Sequence, residues 1–158
     1  MNFGERRHFL SLLGLGGLVS GLGIKTAEAH HTDSHFEEKA AHKLVYQCNK
    51  ADEEYLGHIL FSCSEMLRKY GDDIELVITA LGPGLNLLGK KPKRPVSTEH
   101  QQKAQSLAEY GVRFQACGNT MKSFKWTKKD LFDFAEVVPI GVDGIMKLQE
   151  EGFCYLSW

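Results

Sequence analysis

The chain has 158 residues, 42% of them hydrophobic and 25% charged, and its 19 Lys and Arg against 20 Asp and Glu give a formal net charge of -1. One domain of roughly 100–200 residues accounts for that length; collagen-like, disordered and multi-span membrane classes are excluded, as is a nucleic-acid binder working through a basic excess on one face. Four cysteines, Cys48, Cys63, Cys117 and Cys154, are too widely spaced for a disulfide-stapled scaffold and form no CxxC pair, so any cysteine chemistry belongs to individual thiols.

Residues 1–29 read as an export signal rather than part of the fold. Arg6 and Arg7 precede an uncharged, Leu- and Gly-rich stretch from Phe9 to Ile24, and Ala27-Glu28-Ala29 follows as a small-x-small cleavage site. The apolar run is too short to span a bilayer, which takes about 20 residues. Glu5-Arg6-Arg7-His8-Phe9-Leu10 resembles a twin-arginine signal, which implies a periplasmic mature protein that meets a membrane only during export. Residues 30–42 are expected to be a flexible terminus. Its His30, His31 and His35 are a candidate imidazole cluster for a metal ion, but a solvated terminus is the simpler reading and no metal is assigned.

From residue 43 onward strands and helices alternate. Leu44 to Asn49 is an apolar run of the kind that forms a strand buried on both faces. Asp52 is placed to cap a helix whose first turn carries Glu53 and Glu54, whose stripe is Leu56, Ile59, Leu60, Cys63, Leu67 and Tyr70, and which stops at Gly71. Ile74 to Thr79 predicts a second strand, Thr98 to Tyr110 a second helix stopped by Gly111, and Val112 to Ala116 a third strand. Thr127 with Asp130 predicts a short capped helix through Phe134, before a brief strand at Val137-Val138. Val142, Ile145, Met146 and Gln149 mark a last helix, and Phe153 to Leu156 a fifth strand. This order predicts a three-layer α/β/α single domain with a mainly parallel five-stranded sheet, over residues 43–158.

Ala80 to Ser97 is expected to be irregular. It holds Pro83, Pro92 and Pro95 and a basic run of Lys90, Lys91, Lys93 and Arg94. Long loops of this kind serve as lids or binding segments, and the basic run either attracts an anionic ligand or is simply solvated.

Ligands of open parallel sheets bind beyond the carboxyl ends of the strands. The segments leaving strands there supply the candidate ligand-binding residues Asn49, Gly82, Gly84, Gly118, Asn119, Thr120 and Gly141. Only one of these segments brings a thiol. Cys117 follows the third strand directly and precedes Gly118, so backbone amides can turn toward its sulfur and favour the thiolate. Lys122 and Lys125 are expected close by. Cys117 is therefore the candidate nucleophile, with a structural thiol as the competing reading. Cys63 falls on a helix stripe, and Cys48 and Cys154 lie within strands, so these three are expected in the core. A Cys48–Cys154 disulfide is conceivable if the first and last strands are neighbours. His58 reads as a surface histidine rather than a base. There is no triad order, paired-carboxylate motif, GxGxxG or P-loop, and no cofactor is expected.

Lys43 to Asn49, Gly82-Pro83-Gly84-Leu85, Phe114 to Thr120, Val137 to Val142 and Leu148 to Phe153 together resemble the DsrE/DsrF-like family of sulfur-relay proteins, closest to an exported branch. The resemblance implies homo-oligomers such as trimers or hexamers. It also implies that Cys117 stands where sulfurtransferase members carry the cysteine that accepts persulfide sulfur. A thiol-based sulfur carrier using Cys117, served by a sulfur donor and acceptor, is one functional expectation. A non-enzymatic oligomeric ligand-binding or assembly module is the other.

Overall fold

The computed structural model describes residues 40–158; the export signal and His30, His31 and His35 lie outside them. The strands are β1 (His42–Cys48), β2 (Ile74–Ala80), β3 (Arg113–Cys117), β4 (Ala135–Val138) and β5 (Cys154–Leu156). They form one sheet in the order β4-β3-β2-β1-β5. Every pairing is parallel, as runs such as Ile74-Glu75-Leu76-Val77-Ile78 and a helix in each crossover dictate. The helices are α1 (Glu53–Tyr70), α2 (Thr98–Glu109), α3 (Gly118–Phe124) and α4 (Gly141–Glu150).

The helix ends follow local chemistry. Asp52 Oδ1 accepts from the Tyr55 N–H at 3.0 Å to cap α1, and Gly71 closes it at φ 56. Ser97 Oγ accepts from the His100 N–H at 3.2 Å to cap α2.

Alternation along the strands divides the core into two unequal parts. On one face Tyr46, Ile78 and Phe114 pack with Leu56, Ile59, Leu60 and Cys63 of α1, Ala104 and Leu107 of α2, and Met121 of α3. On the other, Val45 and Val77 meet Ile145 and Leu148 of α4 and Phe153. This second face is also the one on which Thr79 donates to Gln115 Oε1 at 3.0 Å, both side chains being buried.

Three expectations are corrected. The segment after β2 is not an irregular loop: Gly82–Leu88 winds as a 3-10 helix with Gly84 to Leu88 buried. It is pinned to a later segment by Phe132 N–H to Leu88 O at 3.0 Å and Lys90 N–H to Asp130 O at 2.8 Å. The Thr127 capping box forms, but the turn it starts covers only Lys128–Asp130 and does not reach Phe134. Cys154 is exposed rather than in the core, because β5 is an edge strand with a neighbour on one side only. Its register partner is Leu44, four residues before Cys48. At about 3.3 Å per strand residue this is roughly 13 Å, well beyond the reach of a disulfide; both cysteines are free.

Candidate functional site

The segments leaving the carboxyl ends of β2, β3 and β4 meet around the thiol of Cys117, with the end of β1 packed against the first of them. Two glycines let their backbones come close. Gly84 lies against the end of β1, where a Cβ would stand 2.2 Å from the Cys48 carbonyl oxygen. Gly118 opens α3 directly after the thiol, and a Cβ there would be 3.1 Å from the carbonyl oxygens of Val138 and Pro139. The Asn119 N–H donates to Pro139 O at 3.2 Å and so ties α3 to the segment leaving β4.

Gly141, the first residue of α4, donates its N–H to Cys117 Sγ at 3.2 Å. A Cβ on Gly141 would lie 3.0 Å from Cys117 Cβ and 3.4 Å from its sulfur, so only glycine sits there without disturbing the thiol. The thiol thus faces the positive end of a helix dipole. Thr120 approaches from α3. Its Oγ1 accepts from the Gly82 N–H at 2.9 Å, which leaves the hydroxyl proton free for the sulfur.

Burial, the largest single influence on Cys117, raises its pKa. Hydrogen bonds from the Thr120 hydroxyl and from the amides of Thr120, Gly141 and Asn119 outweigh it and hold the thiol below its ordinary 9.0. Cys117 as a residue keeps 6% of its surface exposed. Cys48 and Cys63 behave in the opposite way, burial pushing both up to about 12. These two are packing thiols, while Cys117 has its thiolate form favoured by the donors around it.

Of the ligand-binding residues read from sequence, Gly118, Asn119, Thr120 and Gly141 surround the thiol, and Gly82 reaches it through Thr120. Gly84 and Asn49 serve the framework instead. Asn49 is occupied with Tyr55, whose hydroxyl lies 3.0 Å from both its backbone nitrogen and its Oδ1. Lys122 and Lys125 are exposed, and the groups that lower the thiol are all neutral. His58 is exposed, 4.0 Å from Glu54 and away from the site. Among the described residues no group of three or more His, Cys, Asp and Glu is placed to hold a metal ion.

Asn86 was missed. Fully buried, it donates to Pro83 O at 2.7 Å and accepts from the N–H groups of Lys93 (2.7 Å) and Arg94 (3.0 Å). It therefore fixes where the basic run leaves the 3-10 helix. The available signal was a lone polar residue in Gly84-Leu85-Asn86-Leu87-Leu88. A cavity of about 400 Å³ is lined by Gly82, Pro83, Arg94, Asn119, Thr120, Ser123 and Phe124; it adjoins the site through Asn119 and Thr120, which bond the Cys117 sulfur.

No curated protein matches the sequence. Among solved structures, MTH1491 from Methanobacterium thermoautotrophicum, a protein of unknown function, aligns with TM-score 0.66 at 23% identity, over 74% of this chain and 99% of that one. The ychN protein from E. coli aligns with TM-score 0.58 at 16% identity over the same shares. Both show the fold. The sequence from residue 32 to 158 matches the DsrE/DsrF-like family, and the chain, carrying that fold with a strand-end thiol at its centre, belongs to the DsrE/DsrF-like family.

Proposed function

We propose that the protein is a thiol-based sulfur acceptor and carrier in which Cys117 forms the persulfide. The observation that carries this reading is the Cys117 thiol itself, lowered by four neutral donors at the junction of α3 and α4. In the step proposed, the Cys117 thiolate attacks a sulfane sulfur, an S–S bond forms, and the donor's leaving group departs with the electron pair of the bond that breaks. An acceptor thiolate then attacks the outer sulfur and releases Cys117 as thiolate. The family match supports a sulfur-relay role.

Export to the periplasm is part of the proposal and is supported by the pattern of residues 1–29. So is a homo-oligomer, trimer or hexamer. What supports it is the exposure of Ile140, Val142 and Met146, the last two one turn apart on α4 at 64% and 50%. Sedimentation velocity at micromolar concentration tests that part, and a monomer refutes it.

Intact-mass measurement after treatment of the reduced protein with polysulfide, in a Cys154→Ser background because that thiol is free and exposed, tests the sulfur chemistry. The expected result is a one-sulfur adduct that Cys117→Ser abolishes. No adduct, or one that persists in Cys117→Ser, refutes it. The competing reading, a binding or assembly module without catalysis, is favoured by one observation: none of the groups that shift Cys117 is itself ionisable, so no general base attends the thiol.

A further inference from the structure

Two cavities meet at Arg94. The larger, about 510 Å³, is lined by Lys50, Asp52, Glu53 and Arg94 with Ala51, Pro83 and Pro95, so its two cations are balanced by two carboxylates. The smaller cavity, which reaches the thiol's donors Asn119 and Thr120, has Arg94 as its one charged lining residue and no carboxylate. Its remaining polar lining is Asn119, Thr120 and Ser123, and Thr120 also bonds the sulfur. Lys93 adds positive charge at the rim, its Nζ 5.5 Å from the centroid of Phe124, which lines the same cavity. The backbone of Arg94 is held there, while its side chain is exposed. Asn86 grips its backbone N–H from the core, and Pro95 restricts it to an extended conformation.

Resting on the reading of Cys117 as a sulfur acceptor, we propose that this cavity receives a small anionic sulfur donor of the thiosulfate class and that Arg94 is the residue that selects it. A thiolate and a thiosulfate dianion repel one another, and an attack between them needs a cation at the donor. The planar guanidinium donates two parallel hydrogen bonds to a sulfonate end, which lysine does as a point charge only. The Cys117 thiolate attacks the sulfane sulfur, a Cys–S–S bond forms, and the sulfane–sulfonate bond breaks with its electron pair leaving on sulfite. Thiolate and thiosulfate become persulfide anion and sulfite, so atoms and charge balance and no further oxidant or reductant enters.

The experiment compares the native protein, Arg94→Lys and Arg94→Gln in two ways: sulfite released from thiosulfate in a single turnover, and the ratio of alkylation rates of Cys117 by iodoacetate and by iodoacetamide, which differ in charge at nearly equal size. Arg94→Gln is expected to lower both the sulfite burst rate and the iodoacetate/iodoacetamide ratio by about tenfold or more, the low end of the worth of a charge-assisted hydrogen bond. Arg94→Lys keeps part of each. A ratio unchanged in Arg94→Gln, or native protein that forms the polysulfide adduct yet releases no sulfite from thiosulfate, overturns the anion site and leaves the sulfur-acceptor reading standing. A ratio that responds to Arg94 while neither polysulfide nor thiosulfate yields a persulfide overturns the sulfur reading and shows an anion site of other purpose.

Discussion

Replacing Thr120 by valine removes one hydroxyl and keeps the side chain's shape, and it strikes both partners of that hydroxyl. The first is the Cys117 sulfur. A hydrogen bond to a charged group is worth about 1.5–3 kcal/mol, so its loss lowers the thiolate population about 10–150-fold wherever the thiol is mainly protonated. A less stabilised thiolate is also intrinsically more nucleophilic, and with a Brønsted slope of about 0.4–0.5 this recovers roughly half of the logarithm. The observed alkylation rate below the thiol's midpoint should therefore fall only about 3–12-fold. Above the midpoint the variant should react faster than the native protein, so the two pH–rate profiles cross. The second partner is the Gly82 N–H, 2.9 Å from Thr120 Oγ1, whose orphaning costs about 1–3 kcal/mol of stability. Iodoacetamide alkylation followed from pH 6 to 10 in a Cys154→Ser background, since that thiol is free and exposed, reads the first effect, and urea unfolding reads the second. Thr120→Ser, which keeps the hydroxyl, should follow the native profile. Superimposable profiles for Thr120→Val and native protein, or Thr120→Ser behaving like Thr120→Val, would refute the assignment of Thr120 as a thiolate donor.

Other substitutions test the framework. Gly84→Ala should destabilise by at least the roughly 1–3 kcal/mol of an overpacked site, because its Cβ would stand 2.2 Å from the Cys48 carbonyl oxygen, a backbone atom that cannot swing aside; a urea midpoint equal to the native one counts against this packing. Asn86→Ala should cost about 1–3 kcal/mol and open the segment to trypsin after Lys90 or Lys93, with an unchanged digestion rate as the contrary result. Burial pushes the folded-state pKa values of Cys48 and Cys63 up to about 12, above the ordinary 9.0 of a thiol. Their stabilisation is complete below that ordinary value and is lost as pH rises toward about 12, at about 1.4 kcal/mol per pH unit for each thiol. Removing one of them in Cys63→Ala should flatten the alkaline decline in stability between pH 9 and 11, and an identical decline would show that these thiols do not drive it.

The sheet was legible because each strand is a short apolar run closed by a turn or a capping residue, signals that lie within a few residues of one another. Asp52 and Gly71 bracket α1 in the sequence as they do in the structure. The segment from Gly82 to Leu88 carries no such periodicity, since a 3-10 turn buries all three of its leucines in the main core rather than presenting them as a repeating face. Cys154 was misread for a related reason. Alternation says that a residue faces away from its neighbours in the strand, but whether that side is covered depends on strand order, and β5 proved to be an edge.

The site was half legible, and the division follows from how the thiol is stabilised. Cys117 was found because a thiol followed by glycine at the end of a strand is a local pattern. Lys122 and Lys125 were expected to assist it because charges near in sequence attract attention, yet both are exposed, Lys122 on a helix the sequence did not announce and Lys125 just past its end: α3 begins at Gly118 without a side-chain cap. The groups that act are neutral: one hydroxyl and the amides of Thr120, Asn119 and Gly141, the last arriving from 24 residues away. Such donors leave little trace in composition or charge pattern, because every residue but proline has an amide. They also differ from lysines in physical consequence. Mobile ions screen an exposed ammonium within about 10 Å at 0.1 M salt, whereas a buried amide aimed at a sulfur is hardly screened. The Cys117 thiolate is therefore held by an arrangement insensitive to ionic strength, while the attraction of Arg94 for an anionic donor weakens as salt rises, and the two contributions separate in a single salt titration.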